Sequence, residues 1–216
     1  MKFDIVAPNE IEKKSFEIIT QIIRDEHPDF VVDPTQEAVL KRVIHTSADF
    51  EYLYNLAFSN DAVEAGLRAL KNGAVIITDT NMAKSGVSKP SLKKLGGSVE
   101  CFIADEDVAK EAKERGITRA IVSMEKASKI DKPLIFAIGN APTALIALDE
   151  MIKAGKIKPE LIIGVPVGFV NVVESKELIM GSGIPYIVAR GRKGGSNVAA
   201  AICNALMYQL IEREGF

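Results

Sequence analysis

Histidine is scarce in this chain: two residues in 216. Cysteine is equally scarce, and Cys101 and Cys203 lie far apart with no CxxC spacing. Neither a zinc site nor a disulfide framework is indicated, and both cysteines read as small buried apolar residues. Charge of one sign is also lacking. A net charge of −2 gives no global attraction for nucleic acid or an anionic membrane, so any anion site must be a local cluster. No apolar run approaches membrane-spanning length, and the opening stretch MKFDIVAPNE has no basic-then-apolar targeting pattern. These absences point to a cytoplasmic protein with no nucleic-acid or membrane partner.

What is present is the balance of an ordinary globular protein, 47% hydrophobic and 26% charged. The length suits one α/β domain with a substantial core, and one domain is expected over residues 1–216. Before residue 74 the chain reads as helices. Ile11, Ile18, Ile19, Ile22 and Ile23 recur at roughly helical spacing, Asp33 and Pro34 form a helix start, and Lys71-Asn72-Gly73 form a helix stop. From there short apolar runs alternate with helical segments. The predicted strands are 74–78, 99–103, 133–138, 160–165 and 185–189. They are almost wholly apolar, which places helices on both faces of a parallel sheet. The expected fold is an α/β three-layer sandwich around a mainly parallel sheet, with a helical N-terminal part packed on it.

Open parallel sheets bind ligands beyond the carboxyl ends of their strands. The loops predicted there are TDTNMAKSGVSK, IGNAPTAL, GVPVGFVNVVESK and ARGRKGGSNVAAA. In the last, Arg190, Arg192 and Lys193 flank Gly191, Gly194 and Gly195, ahead of a helix that Ser196 is placed to cap. Cationic side chains with free helix amides make a carboxylate or phosphate site, while a solvated turn is the plainer reading. GRKGGS is not G-x-G-x-x-G, GNAPTAL is not a Walker loop, and no G-x-S-x-G elbow or metal-ligand spacing occurs. A nucleotide- or phosphate-binding α/β enzyme using GRKGGS stays open as the alternative, as does a module that only sequesters a ligand. Histidine is then the candidate acid or base. His27, beside Pro28 among charges, reads as an exposed helix end. His45, in VIHTSADF, follows an apolar pair, and Thr46, Ser47 and Asp49 are near enough in sequence to orient its ring. An imidazole, with an unperturbed pKa of about 6.5, suits proton transfer near neutral pH. A lone His at a helix end also has a purely structural reading.

The strings SFEII, KRVIHTSADFEY, LAFSNDAVEAG, GAVIITDTNMAKSGV, AIGNAPTAL, LIIGVPVGFVNVVESKELI and YIVARGRKGGSNVAAAICNAL together resemble the precorrin-8X / cobalt-precorrin-8 methylmutases of cobalamin biosynthesis. The resemblance runs from about residue 15 to 207. It implies an isomerase that moves a methyl group between adjacent corrin-ring carbons, from position eleven to position twelve, giving hydrogenobyrinic acid or its cobalt counterpart, cobyrinic acid. It implies no redox cofactor, nucleotide or methyl donor, because the rearrangement is intramolecular; cobalt, where present, arrives within the tetrapyrrole. It places the catalytic His at His45 and substrate-binding residues at Ser15 and Arg42, and it implies a homodimer. Thr46, Asn140, Arg190, Arg192, Lys193, Gly194 and Ser196 are the further expected substrate contacts, the cations pairing with the substrate's carboxylate arms. Asp79 is expected to cap the turn that follows it, and Lys84 to face solvent. The HTSAD form of the His segment looks closer to the cobalt-first branch.

Overall fold

A computed structural model describes Ala7 and residues 10–211. Helices α1 (Ile11–Glu26), α2 (Glu37–Ser47) and α3 (Tyr52–Asn55) lead into a short strand β1 (Leu56–Phe58) and α4 (Ala62–Lys71). Then come β2 (Val75–Thr78), α5 (Asn81–Gly86), α6 (Lys89–Lys94), β3 (Ser98–Glu100), α7 (Glu106–Arg115) and α8 (Arg119–Ala127). The chain continues with β4 (Leu134–Ile138), α9 (Pro142–Lys153), β5 (Leu161–Gly164), α10 (Val172–Met180), β6 (Tyr186–Ala189) and α11 (Ser196–Tyr208). The six strands form one sheet in the order β1-β6-β5-β4-β2-β3. All neighbours pair in parallel except β1, which runs antiparallel to β6.

The apolar strands do what two-sided burial requires. In β4 all five residues are buried, and their side chains alternate between two cores. Ile135 and Ala137 join Ile76, Leu161, Ile163 and Ile187 on the face covered by α2, α4 and α11. Leu134, Phe136 and Ile138 join Val75, Ile77, Ile162 and Val188 on the face covered by α8, α9 and α10. Fully burying a side chain of this size contributes about 1.5–3 kcal/mol, which makes these two cores the main support of the sandwich. Helix α2 packs along α11, and α1 packs along α2. The N-terminal helices therefore lie over the sheet through α11, whose start sits at the carboxyl ends of the strands. Cys101 and Cys203 are both free and buried.

Several expectations need correction. The N-terminal part is not all helix: Leu56–Phe58 completes the sheet edge as β1. Of the isoleucine stripe on α1, Ile19 and Ile23 are buried but Ile11 and Ile18 face solvent, since only one narrow face of the helix meets α2. Asp33 does cap a turn, its Oδ1 accepting from the Thr35 amide at 2.8 Å and the Thr35 hydroxyl at 2.7 Å, but regular α2 starts at Glu37. The loop after β2 holds two short helices, the first capped by Thr80 Oγ1, which accepts from Ala83 N. Strand β3 ends at Glu100, three residues before its predicted end.

Candidate active site

Four loops leave the carboxyl ends of β2, β4, β5 and β6, and backbone-level contacts knit them into one floor. Asp79, immediately after β2, is buried, and its carboxylate accepts from the amides of Gly139 (2.9 Å), Asn140 (2.8 Å) and Ala141 (2.6 Å). Burial pushes its pKa up, against the pull of those three donors. Asp79 is therefore a cap for the entry to α9, sixty residues away, and not for its own turn. Pro142 at the first turn of α9 fits this entry, since it has no N–H to satisfy. Gly139 is obligatory here: a Cβ would fall 2.7 Å from Ser196 Cα. The Ser196 hydroxyl does not cap α11. It shares a 2.7 Å hydrogen bond with Thr80 Oγ1, and the N-cap position belongs to Gly195.

The Gly-rich loop between β6 and α11 is fixed on every side. Gly195 N donates to Val165 O at 2.8 Å, and Gly168 N donates to Arg192 O at 3.2 Å. Gly194 has φ +156°, and a Cβ there would lie 2.1 Å from Val165 O, so only glycine fits. The loop's cations are mostly engaged by protein carboxylates. Arg190 makes a two-pronged contact with Glu177 (2.9 and 2.8 Å). Lys193 Nζ meets Asp49 at 2.6 Å and Glu51 at 3.0 Å, and these bonds raise its pKa. Against burial, which pushes the Asp49 carboxyl up, Lys193 and the Glu51 amide hold it below the usual carboxylate range. Arg192 is exposed, has no carboxylate partner among the described residues, and lies over the Phe169 ring at 5.9 Å.

The Asp49–Lys193 pair joins this floor to the N-terminal helices. Asp49 lies just beyond the end of α2, where Ala48 turns the chain with φ 53°. One turn earlier is His45. Val43 and Ile44 are buried beneath it, whereas His45 and Thr46 are exposed, so the helix presents the imidazole outward. The ring packs edge-on against Phe16 at 5.5 Å. None of the three neighbours expected to orient it does so: Ser47 bonds Val43 O, Asp49 is held by Lys193, and Thr46 points to solvent. Phe16 also meets Arg42, whose guanidinium lies 4.9 Å from its ring and 5.1 Å from that of Tyr208. Arg42 grips Glu12 with both of its terminal nitrogens (2.7 and 2.9 Å). A groove of about 510 Å³ runs beside this pair, lined by Glu12, Phe16, Glu17, Arg42 and Tyr208 among others. Its volume is within the range of small-molecule sites. Phe16 thus lines the groove and also packs against His45.

The nine expected substrate contacts and His45 thus fall into two patches. Arg190, Arg192, Lys193, Gly194, Ser196 and Asn140 line the floor, Asn140 with an exposed side chain. Ser15, Arg42, Thr46 and His45 belong to α1 and α2, and the Ser15 hydroxyl bonds Ile11 O within its own helix at 2.9 Å. Lys84 is half-buried and paired with Glu100 at 3.0 Å, not turned freely to water. Sequence reasoning missed Glu12, Phe16 and Lys176. Lys176 had a legible signal, since it occupies the buried stripe of α10 with Val172, Ser175 and Ile179.

The family model described as precorrin-8X methylmutase (CbiC) matches residues 10–209. The chain belongs to this family. A cobalt-precorrin-8 methylmutase of Salmonella typhimurium is 47% identical over 210 residues, covering 96% of this chain and 98% of its own. One from Priestia megaterium is 46% identical over 201 residues, covering 93% and 88%. The precorrin-8X methylmutase of Pseudomonas aeruginosa is 43% identical over 172 residues, covering 79% and 82%. A crystal structure of precorrin-8X methylmutase from Thermus thermophilus superposes with a TM-score of 0.82 at 39% identity, covering 92% of this chain and 96% of that one.

Proposed function

We propose that this methylmutase uses His45 to lend a proton to the tetrapyrrole, and to recover it, while the methyl group moves between adjacent ring carbons. The enzyme is an isomerase of cobalamin biosynthesis. Protonating the macrocycle, or donating to one of its ring nitrogens, withdraws electrons from the conjugated system and lowers the barrier to migration. The observation that carries this reading is the position of His45. Its imidazole is exposed on the last turn of α2, and that end of α2 is fastened by Asp49 to the basic, glycine-rich loop. A substrate with several carboxylate arms can meet the ring and the cations together. Well-formed charge-assisted hydrogen bonds contribute about 1.5–3 kcal/mol each.

The proposed substrate is the cobalt-containing form, as in the names of the relatives at 46–47% identity. Cobalt then enters as part of the substrate, and no protein-held cofactor is invoked. We place the enzyme in the cytoplasm, as a homodimer whose second copy covers the open side of His45. The exposed apolar residues Phe169 and Val170, 82% and 79% accessible, favour a subunit contact at the loop after β5. The phosphate-loop alternative loses its footing, because the chain belongs to the methylmutase family and the Gly195 amide, which would face a phosphate, is taken by Val165 O.

The test is His45→Ala, assayed by the change in the absorption spectrum of metal-free and cobalt-containing substrates side by side. The variant is expected to fold and to bind, with turnover lost. General acid–base groups typically contribute about 10²–10⁴-fold to rate, so a drop of that order is the expected size. Full turnover by His45→Ala removes the imidazole from the mechanism.

A further inference from the structure

Lys176 is the one lysine among the described residues whose side chain is wholly buried, at 0% accessibility. Its Nζ donates to Gly191 O at 2.8 Å and to Lys193 O at 2.9 Å, two carbonyls of the loop between β6 and α11. Burial lowers its pKa to about 8. Taking an ammonium out of water costs several kcal/mol, and an apolar side chain of similar volume at a stripe position of α10 carries no such penalty. What the lysine supplies in return is placement. The loop has no strand ladder of its own and bends through three glycines with positive φ at 191, 194 and 195. The two carbonyls held by Lys176 flank Arg192, the exposed cation without a carboxylate partner, and one of them belongs to Lys193, which reaches Asp49 below His45.

We infer that Lys176 is a positioning residue for substrate: from beneath, its two hydrogen bonds set the backbone that aims Arg192 and Lys193 at the carboxylate arms. This rests on the proposed role of that loop in binding the tetrapyrrole. The residue touches no substrate, so its loss affects binding more than the chemical step at His45.

The experiment compares Lys176→Met and Lys176→Gln with wild type, using steady-state kinetics and amide hydrogen exchange of residues 190–195 without ligand. Met removes both donors while filling the space; Gln keeps an uncharged donor on a shorter arm. For Lys176→Met the expected result is KM raised about ten- to a hundredfold, the scale of a misplacement near 1 Å, with kcat changed less than about threefold. Exchange at the loop amides should quicken, and Gln should fall between. If Met fails to fold, the Gln variant gives the same split. A lysine that only stabilises the fold gives lower Tm with KM and loop exchange unchanged, and that outcome overturns the inference. The exchange readout needs no substrate, so the inference is decided even if the wild type shows no turnover, a result that would instead sink the functional reading.

Discussion

Removing the Asp79 carboxylate tests the cap that ties two site loops together. In Asp79→Ala three amides lose their acceptor at once. The Gly139 amide is in the buried interior, and an unsatisfied buried donor costs about 1–3 kcal/mol. Asn140 is exposed and Ala141 half-buried, so water can replace part of their lost bonding. The carboxylate also faces the amino end of α9, an interaction typically of about 0.3–1 kcal/mol. Set against these is relief from burying a charge, which the raised pKa registers. The balance is a loss of about 2–4 kcal/mol. For a chain of this size each kcal/mol shifts Tm by about 2–4 °C, so the melt should fall by roughly 5–15 °C. Calorimetry or circular dichroism reads this directly. Asp79→Asn should lose part of the same stability, because its one oxygen can still accept on one side while its NH2 group faces an amide N–H on the other. A Tm within about 2 °C of wild type for both variants would refute the cap, since 1 kcal/mol already exceeds that shift.

Two further outcomes follow from the loop geometry. Gly194→Ala must move either Val165 or the loop, given a Cβ position 2.1 Å from the Val165 oxygen at φ +156°; a loss of about 2–5 kcal/mol is expected from the combined clash and backbone strain, and an unchanged melt with unchanged KM would show that the loop is laxer than it looks. Lys176 gives a pH signature. Its folded-state pKa, about 8, lies below the ordinary 10.5, so between those values the unfolded chain binds the extra proton and the wild type gains stability as pH rises. The Tm of Lys176→Met minus that of wild type should therefore fall between pH 8 and 10.5, by the equivalent of about 3 kcal/mol at most; a flat difference across that window would mean that the lysine titrates normally.

How much of this was legible depended on whether local pattern or distant partners did the work. Strands β2, β4, β5 and β6 announced themselves because both faces of each are buried, leaving unbroken apolar runs such as LIFAI. Strand β1 did not, because LAF is three residues long and continues an apolar helical pattern; only its pairing with β6 makes it a strand. His45 stood out in VIH because Val43 and Ile44 suggest a helix running into buried surroundings; those two residues are buried, but the ring itself faces outward. The partners of the site were not legible. Glu12 meets Arg42 across thirty residues, and Asp49 meets Lys193 across 144. Such pairs are set by the docking of α1 on α2 and of α2 on α11, which no local spacing encodes. Family resemblance supplied the assignments of Ser15 and Arg42, and geometry then gave Arg42 a resident partner that resemblance alone did not.

That resident partner bears on how a chain of net charge −2 can hold a polyanion. Arg42 is gripped by Glu12, Arg190 by Glu177, and Lys193 by Asp49 and Glu51. On the proposed reading, a substrate carboxylate that reaches any of these cations exchanges with a protein carboxylate already there. At the exposed pairs, Arg190–Glu177 and Lys193–Glu51, each exchange is close to neutral by itself, because an exposed ion pair contributes only about 0–1 kcal/mol; the Arg42–Glu12 pair is largely buried and outside that range. A ligand with one carboxylate therefore gains little. A rigid macrocycle carrying several arms makes its second and third exchanges intramolecularly, at a high effective concentration, and only such a ligand accumulates a useful total. Glu51, with its side chain 70% exposed, loses little on release into water. On that reading paired cations would act as a filter for the number and spacing of carboxylates, and Arg192, which has no carboxylate partner among the described residues, would be the first point of contact.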